Sequence, residues 1–107
     1  DGAKEKDTHD ITPLHILCNN TSVTVELMKC LLEAYPDGAK EKDEGNYTPL
    51  RILCNNTSVT VELIKCLLEA YPDGAKEKDN CGGDTPLHCL CNNSSVTDEM
   101  VKCVLEA

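Results

Sequence analysis

Eight cysteines and three histidines are the side chains of this 107-residue chain best able to do chemistry. Six of the cysteines recur at fixed places, Cys18, Cys54 and Cys91, followed twelve residues later by Cys30, Cys66 and Cys103. Thiols of one class, carried on neighbouring packed helices, would lie roughly 8–10 Å apart, too far for a disulfide whose Cα atoms must come within ~7 Å. The pairs Cys18–Cys30, Cys54–Cys66 and Cys91–Cys103 could close a bridge. Reduced core thiols, which behave as small hydrophobes, explain the same pattern, and the sequence leaves both readings open. Zinc is not expected at His88, Cys89 and Cys91, or at His15 and Cys18. Residues 89 and 91 point to different faces of a helix, and no second Cys/His pair with ligand spacing lies nearby. No metal or cofactor is therefore predicted. His9, His15, His88 and the carboxylates form no recognisable nucleophile–base pair or phosphate loop, so no enzyme activity is predicted either. Cys81, in the loop "NCGGD", is the thiol expected to be exposed, but no basic neighbour in sequence would lower its pKa.

The elements that carry these residues are repeated. The heptad "DGAKEKD" stands at 1–7, 37–43 and 73–79 and divides the chain into copies 1–36, 37–72 and 73–107. The first two copies differ only at positions 8–11, 15 and 28. Self-similarity at this period predicts one domain, residues 1–107, of stacked units, each stable through its neighbours. In every copy Thr-Pro-Leu opens an apolar segment. The threonine reads as a helix N-cap with proline at the first helical position, which predicts a first helix from about Pro13 to Asn19. Leu14, Leu17 and Cys18 form its apolar stripe. The Asn-Asn-Thr-Ser stretch ends it, and Ser22, Ser58 and Ser95 are expected to cap second helices at about 23–34, 59–70 and 96–107, with Asp98 completing a capping box. All six recurrent cysteines are predicted to lie on apolar stripes. Tyr-Pro at 35–36 and 71–72 ends the helix.

Charge and hydropathy exclude some functions. Nineteen acidic residues against ten basic ones leave a net charge of −9, which repels a polyphosphate backbone and favours a basic protein partner over nucleic acid. No apolar run approaches the ~20 residues that span a bilayer, so a membrane role is not predicted. Unpaired core cysteine suits a reduced interior, and the expected location is intracellular, in the cytoplasm.

At "TPLHILC", followed by "VELMKCLLEA" and a polar linker leading to the next "TPL", the chain resembles the ankyrin repeat family over its whole length. The resemblance implies an all-α, ankyrin-like solenoid of helix pairs joined by β-hairpin-like fingers such as 37–47, with Gly38 and Gly74 allowing tight turning. It also implies that the box histidine bonds neighbouring linker backbone. The first two copies are 36 residues long, against about 33 in the family. Arg51 replaces the box histidine in the second copy. The family's turn glycine is matched by Gly83, while Asp10 and Asn46 hold its place, and both residue types tolerate left-handed backbone.

The copies diverge where the heptad ends: Thr8, His9, Asp10 and Ile11; Glu44, Gly45, Asn46 and Tyr47; Asn80, Cys81, Gly82, Gly83 and Asp84; and Arg51 in the next helix. In ankyrin-like proteins finger tips and first-helix starts line a groove for partners. This implies a protein-interaction scaffold whose partner contacts are Thr8, His9, Ile11, Glu44, Asn46, Tyr47, Arg51, Asn80, Cys81 and Asp84. Tyr47, read as an exposed aromatic beside Arg51, leads that set. The alternative is a structural segment or engineered excerpt of a longer array with no partner of its own. The apolar "VKCVLEA" at the end of the third copy suggests ends that could stack head to tail.

Overall fold

Local chemistry starts the first helix of each copy. Thr12, Thr48 and Thr85 hold extended backbone immediately before a proline, whose missing N–H costs nothing at a helix start. The computed structural model, which describes residues 2–107, places α1 at Pro13–Cys18, α3 at Pro49–Leu53 and α5 at Pro86–Cys91. The Oγ1 of Thr12 accepts from the His15 N–H at 3.3 Å and that of Thr48 from the Arg51 N–H at 3.2 Å. Second helices follow as α2 (Val25–Ala34), α4 (Val61–Ala70) and α6 (Asp98–Leu105).

The caps of these second helices correct the sequence reading. Thr24, Thr60 and Thr97 accept from the N–H groups of Leu27, Leu63 and Met100, whereas Ser22, Ser58 and Ser95 lie in the turn before. The Oδ1 atoms of Asn20, Asn56 and Asn93 take the serine N–H groups at 2.8, 2.8 and 2.9 Å. Asparagine thus closes an Asx turn first, and the next free hydroxyl is two residues further on. Asp98 becomes the first residue of α6, not the partner in a capping box.

The linkers contain no β-strand among the described residues. The backbone after Tyr-Pro coils into 3₁₀ turns at Pro36–Lys40 and Pro72–Lys76, with Gly2–Lys4 alike. Proline fixes the first dihedral and the Tyr35 and Tyr71 carbonyls accept from Gly38 and Gly74, which favours a tight coil over a hairpin arm. Gly38 and Gly74 are buried, and neither has a positive φ. A Cβ at Gly74 would lie 3.2 Å from the Tyr71 ring, and one at Gly38 would lie 3.5 Å from the Tyr35 ring. Gly74 thus sits where a side chain would crowd the Tyr71 ring, Gly38 has room for a Cβ, and neither turn draws on glycine's positive-φ freedom.

Like helices pack on like: α1 on α3 and α3 on α5, α2 on α4 and α4 on α6, with each first helix also against its own second helix. The interior is built of Leu14, Met28, Leu53, Leu63, Ile64, Leu67 and Leu90, with Cys18 and Cys54 fully enclosed. The middle copy is the most covered: α4 buries Leu63, Ile64, Leu67 and Leu68, where α2 buries only Met28. All eight cysteines are free thiols. Two depart from the predicted stripe burial, since Cys30 and Cys91 are exposed. Cys30 lies in the first copy and Cys91 in the third. No described helix is long and apolar enough to cross a membrane.

Candidate interaction groove

The last residue of the heptad organises each finger tip. Asp7 Oδ1 accepts from His9 N at 2.8 Å and Ile11 N at 3.0 Å; Asp43 Oδ1 accepts from Gly45 N at 2.9 Å and Tyr47 N at 3.0 Å. Asp79 repeats the arrangement on Cys81 N at 2.9 Å and Asp84 N at 3.1 Å, so the extra residue in "NCGGD" is absorbed without loss of the bonds. Asp10 (φ 62°), Asn46 (φ 65°) and Gly83 (φ 74°) take left-handed backbone at the equivalent position, as the turn reading predicts. The tips also join edge to edge, with Glu44 N donating to His9 O at 3.2 Å and Asn80 N to Gly45 O at 2.9 Å.

Behind the tips, the box position ties each first helix to the next linker. Thr12 N donates to Nδ1 of the buried His15 at 3.1 Å, which leaves Nε2 to donate to the Tyr47 carbonyl at 3.0 Å. That bond is the linker contact the family resemblance implies. Arg51 does the same work by other means, its Nε donating to Asp79 Oδ2 at 2.9 Å. The Asp79 side chain is 0% exposed and that of Arg51 15%. Burial pushes the Asp79 carboxyl up. Arg51 and the N–H groups of Asp84 and Cys81 outweigh it and hold it below its ordinary value. The Arg51 guanidinium lies 4.1 Å from the centroid of the Tyr47 ring. The Cys81 thiol beside the Tyr47 hydroxyl raises that phenol's pKa, with burial adding to the effect.

Between these ties runs a groove of about 340 Å³, lined by Ile11, His15, Ile16, Asn19, Asp43, Tyr47, Arg51, Ile52 and Asn55. Its floor is apolar where Ile11, Ile16 and Ile52 meet, and Ile16 is 60% exposed, among the largest uncovered apolar side chains. Its walls offer the Asn19 and Asn55 amides and the Asp43 carboxylate. Such a surface suits an extended or helical segment that brings an apolar side chain and amide or basic groups.

Of the predicted contact residues, Ile11, Tyr47 and Arg51 line this groove. Tyr47 is half-buried under Arg51 and is not the free aromatic that was expected. Thr8, His9, Glu44, Asn80 and Cys81 are exposed at the tips, where His9 Nδ1 meets Glu44 Oε2 at 3.0 Å. Asn46 spends its amide on the Lys78 carbonyl at 2.9 Å, and Asp84 is held through its backbone by Asp79. Sequence reasoning missed Ile16, Ile52, Asn19 and Asn55. They are identical in the first two copies, so a search for divergence passes over them. The available signal was an isoleucine off the Leu14–Leu17–Cys18 stripe, on the side of a short helix that ought to be polar.

A more open hollow of about 600 Å³ lies between α4 and α6, lined among others by Lys65, Glu69, Glu99 and Lys102. With Glu106 it sets two lysines against three glutamates, so it offers no attraction to an anion. Among the described residues, no three His, Cys, Asp or Glu side chains are placed to hold a metal ion. His88 and Cys91 are exposed while Cys89 is buried, which separates the histidine–cysteine cluster seen in the sequence. No protein-family model and no curated protein matches the chain. The class that fold and site define is an all-helical chain with an apolar groove between its first helices.

Proposed function

We propose that this chain is an ankyrin-like repeat scaffold that binds a protein segment in the groove formed by α1, α3 and the finger tips, and that it acts by binding and not by catalysis. The observation that carries this reading is the exposed Ile16, flanked in the groove by the half-buried Ile11 and Ile52 and set beside the bonded Tyr47–Arg51–Asp79 assembly. Apolar area is left uncovered on a surface whose polar neighbours are fixed in place, so little ordering entropy is lost when a partner arrives. The Thr-Pro-capped first helices, the His15 bridge to the next linker and the packing of like helices on like support the ankyrin-like arrangement. The net charge of −9 favours a segment carrying lysine or arginine. Eight free thiols suit a reducing, intracellular setting.

The test is saturable retention of a protein by the immobilised 107-residue chain, repeated with Ile16→Asp. Ile16 is exposed, so the substitution should leave thermal unfolding where it was while retention falls at least roughly tenfold, a charge having been placed against an apolar contact. Equal retention by both chains, or none by the parent, overturns the reading. A second reading has its own observation: the first two copies differ at only six positions, as suits a structural segment of a longer array with no partner of its own. The second outcome of the retention test, no partner for the parent, favours it.

A further inference from the structure

The two boundaries between copies both lie inside the chain, and they treat the same carboxylate differently. At the second boundary Asp79 Oδ1 holds the Cys81 and Asp84 N–H groups, and its Oδ2 accepts from Arg51 Nε at 2.9 Å. The pair is sealed, with the Asp79 side chain 0% exposed. At the first boundary Asp43 repeats the inner half of this arrangement, its Oδ1 holding the Gly45 and Tyr47 N–H groups at 2.9 and 3.0 Å. The outer half differs, because the residue in the place of Arg51 is His15. Its Nδ1 is bonded to Thr12 N and its Nε2 to the Tyr47 carbonyl, so the imidazole has no group left for the carboxylate.

Asp43 Oδ2 is therefore left without a partner among the described residues. The cations at these boundaries are committed elsewhere: Lys6 to Glu41 at 2.9 Å, Lys42 to Glu77 at 3.1 Å and Arg51 to Asp79. Asp43 is half-buried and lines the groove of about 340 Å³, along with Ile16 and Ile52. Where the second boundary supplies its own guanidinium, the first has a hollow beside the matching carboxylate. Two backbone N–H groups already fix that carboxylate, so an arriving donor meets a preorganised acceptor.

We propose that the groove takes an arginine of the partner segment, its guanidinium donating to Asp43 Oδ2 as Arg51 donates to Asp79, with an aliphatic neighbour of that arginine resting on Ile16 and Ile52. This rests on the reading of the groove as the binding site and adds the chemistry of its occupant. Arginine is favoured over lysine because the internal pair is made through a guanidinium Nε, which leaves the remaining N–H groups of the fork for the Asn19 and Asn55 amide oxygens in the same hollow. The net charge of −9 draws such a segment in.

Selection from a phage-displayed library of random dodecapeptides on the immobilised chain, followed by titration of a selected peptide, tests this. The selected sequences should carry an arginine beside an aliphatic residue. Asp43→Asn keeps an Oδ1 acceptor for the Gly45 and Tyr47 N–H groups, so it should unfold near the parent's temperature while the peptide binds at least roughly tenfold more weakly, a hydrogen bond between charged groups having been lost. Citrulline in place of the peptide's arginine keeps the shape and removes the charge. It should cost as much against the parent and little more against Asp43→Asn, because both changes remove the same contact. Peptides selected without arginine, an unchanged affinity for Asp43→Asn, or a citrulline penalty equal on both chains overturns the arginine site. The groove reading survives any of these where Ile16→Asp still weakens the selected peptides, whereas a library that yields no binder overturns both.

Discussion

Arg51 and Asp79 show what one substitution between near-identical copies can do. Where the first copy has His15, bonded to a carbonyl, the second has a guanidinium, and it meets a carboxylate with no exposed surface. Asp79 also holds two finger-tip N–H groups, so its ionised form is stabilised from three sides. Removing the guanidinium leaves a buried charge without its counter-ion. Arg51→Ala is expected to destabilise the fold by about 3–5 kcal/mol, as breaking one side of a buried pair does. Urea unfolding checks this, and a midpoint unchanged from the parent would show that water reaches the carboxylate. The same logic makes Arg51 a poor site for probing partner binding, whereas Ile16, exposed and unbonded through its side chain, is a good one. The expectation that Tyr47 and Arg51 are free contact residues arose because a cation and an aromatic near one another in sequence say nothing of a third group 28 residues away.

At the scale of elements, the turn between paired helices does more than reverse the chain. Asn56 closes the Asx turn with Oδ1 and joins the copy before with Nδ2, and it is buried while doing both. Asn20 makes the first bond while its own side chain stays exposed. Asn56→Ala is therefore expected to cost about 1–3 kcal/mol, chiefly the penalty for leaving the buried Cys18 carbonyl without that donor, and Asn20→Ala distinctly less. Denaturant midpoints of the two variants compare them directly. Equal losses would show that the turn, not the boundary, carries the energy. The 3₁₀ coils belong to the same scale: "DGAKEKD" reads as a charged, flexible finger, yet Gly38, Ala39, Gly74 and Ala75 are inside, and its lysine and glutamate bridge neighbouring copies. Alternating charge hides this, because two small residues bury little area and leave no apolar stripe to read.

For the whole molecule, protonation sets the limits of stability. The carboxyls of Asp79, Glu41 and Glu77 are held below their ordinary values. Asp79 owes this to Arg51 and backbone N–H groups acting against burial. Glu41 owes it first to the Tyr35 hydroxyl and then to Lys6, and Glu77 to the Tyr71 hydroxyl. A depressed folded value means stability that is present above the unfolded pKa and lost as pH falls through the folded one, below about pH 4. At the other limit, burial pushes the Cys18 thiol up and the Cys54 thiol to about 12, and the bond to Glu77 holds the Tyr71 hydroxyl at about 12. Raised values give stability that is complete below the unfolded pKa and is lost as pH climbs from about 9 towards 12. Thermal unfolding followed from pH 2 to 11 should show a plateau between about pH 5 and 8 with losses on both sides. A midpoint that stays level from pH 7 to pH 3 would mean that these carboxylates are not held as the geometry describes.

The sequence by itself determined the period, the six helices and most of their ends, because Thr-Pro caps, Asn turns and Tyr-Pro stops act within a few residues of where they are written. It also marked the left-handed positions at Asp10, Asn46 and Gly83, since so few residue types tolerate that backbone. Only the tertiary structure decided which identical residues are buried and which are not. Cys18 and Cys91 stand at the same place in the repeat, one with no exposed surface and the other open, and Leu27 and Leu63 differ in the same way. It likewise decided that Arg51 finds Asp79 and that Ile11, Ile16 and Ile52 converge on one groove. Burial and ion pairing depend on what lies across a boundary between copies, and no local pattern of residues carries that distance.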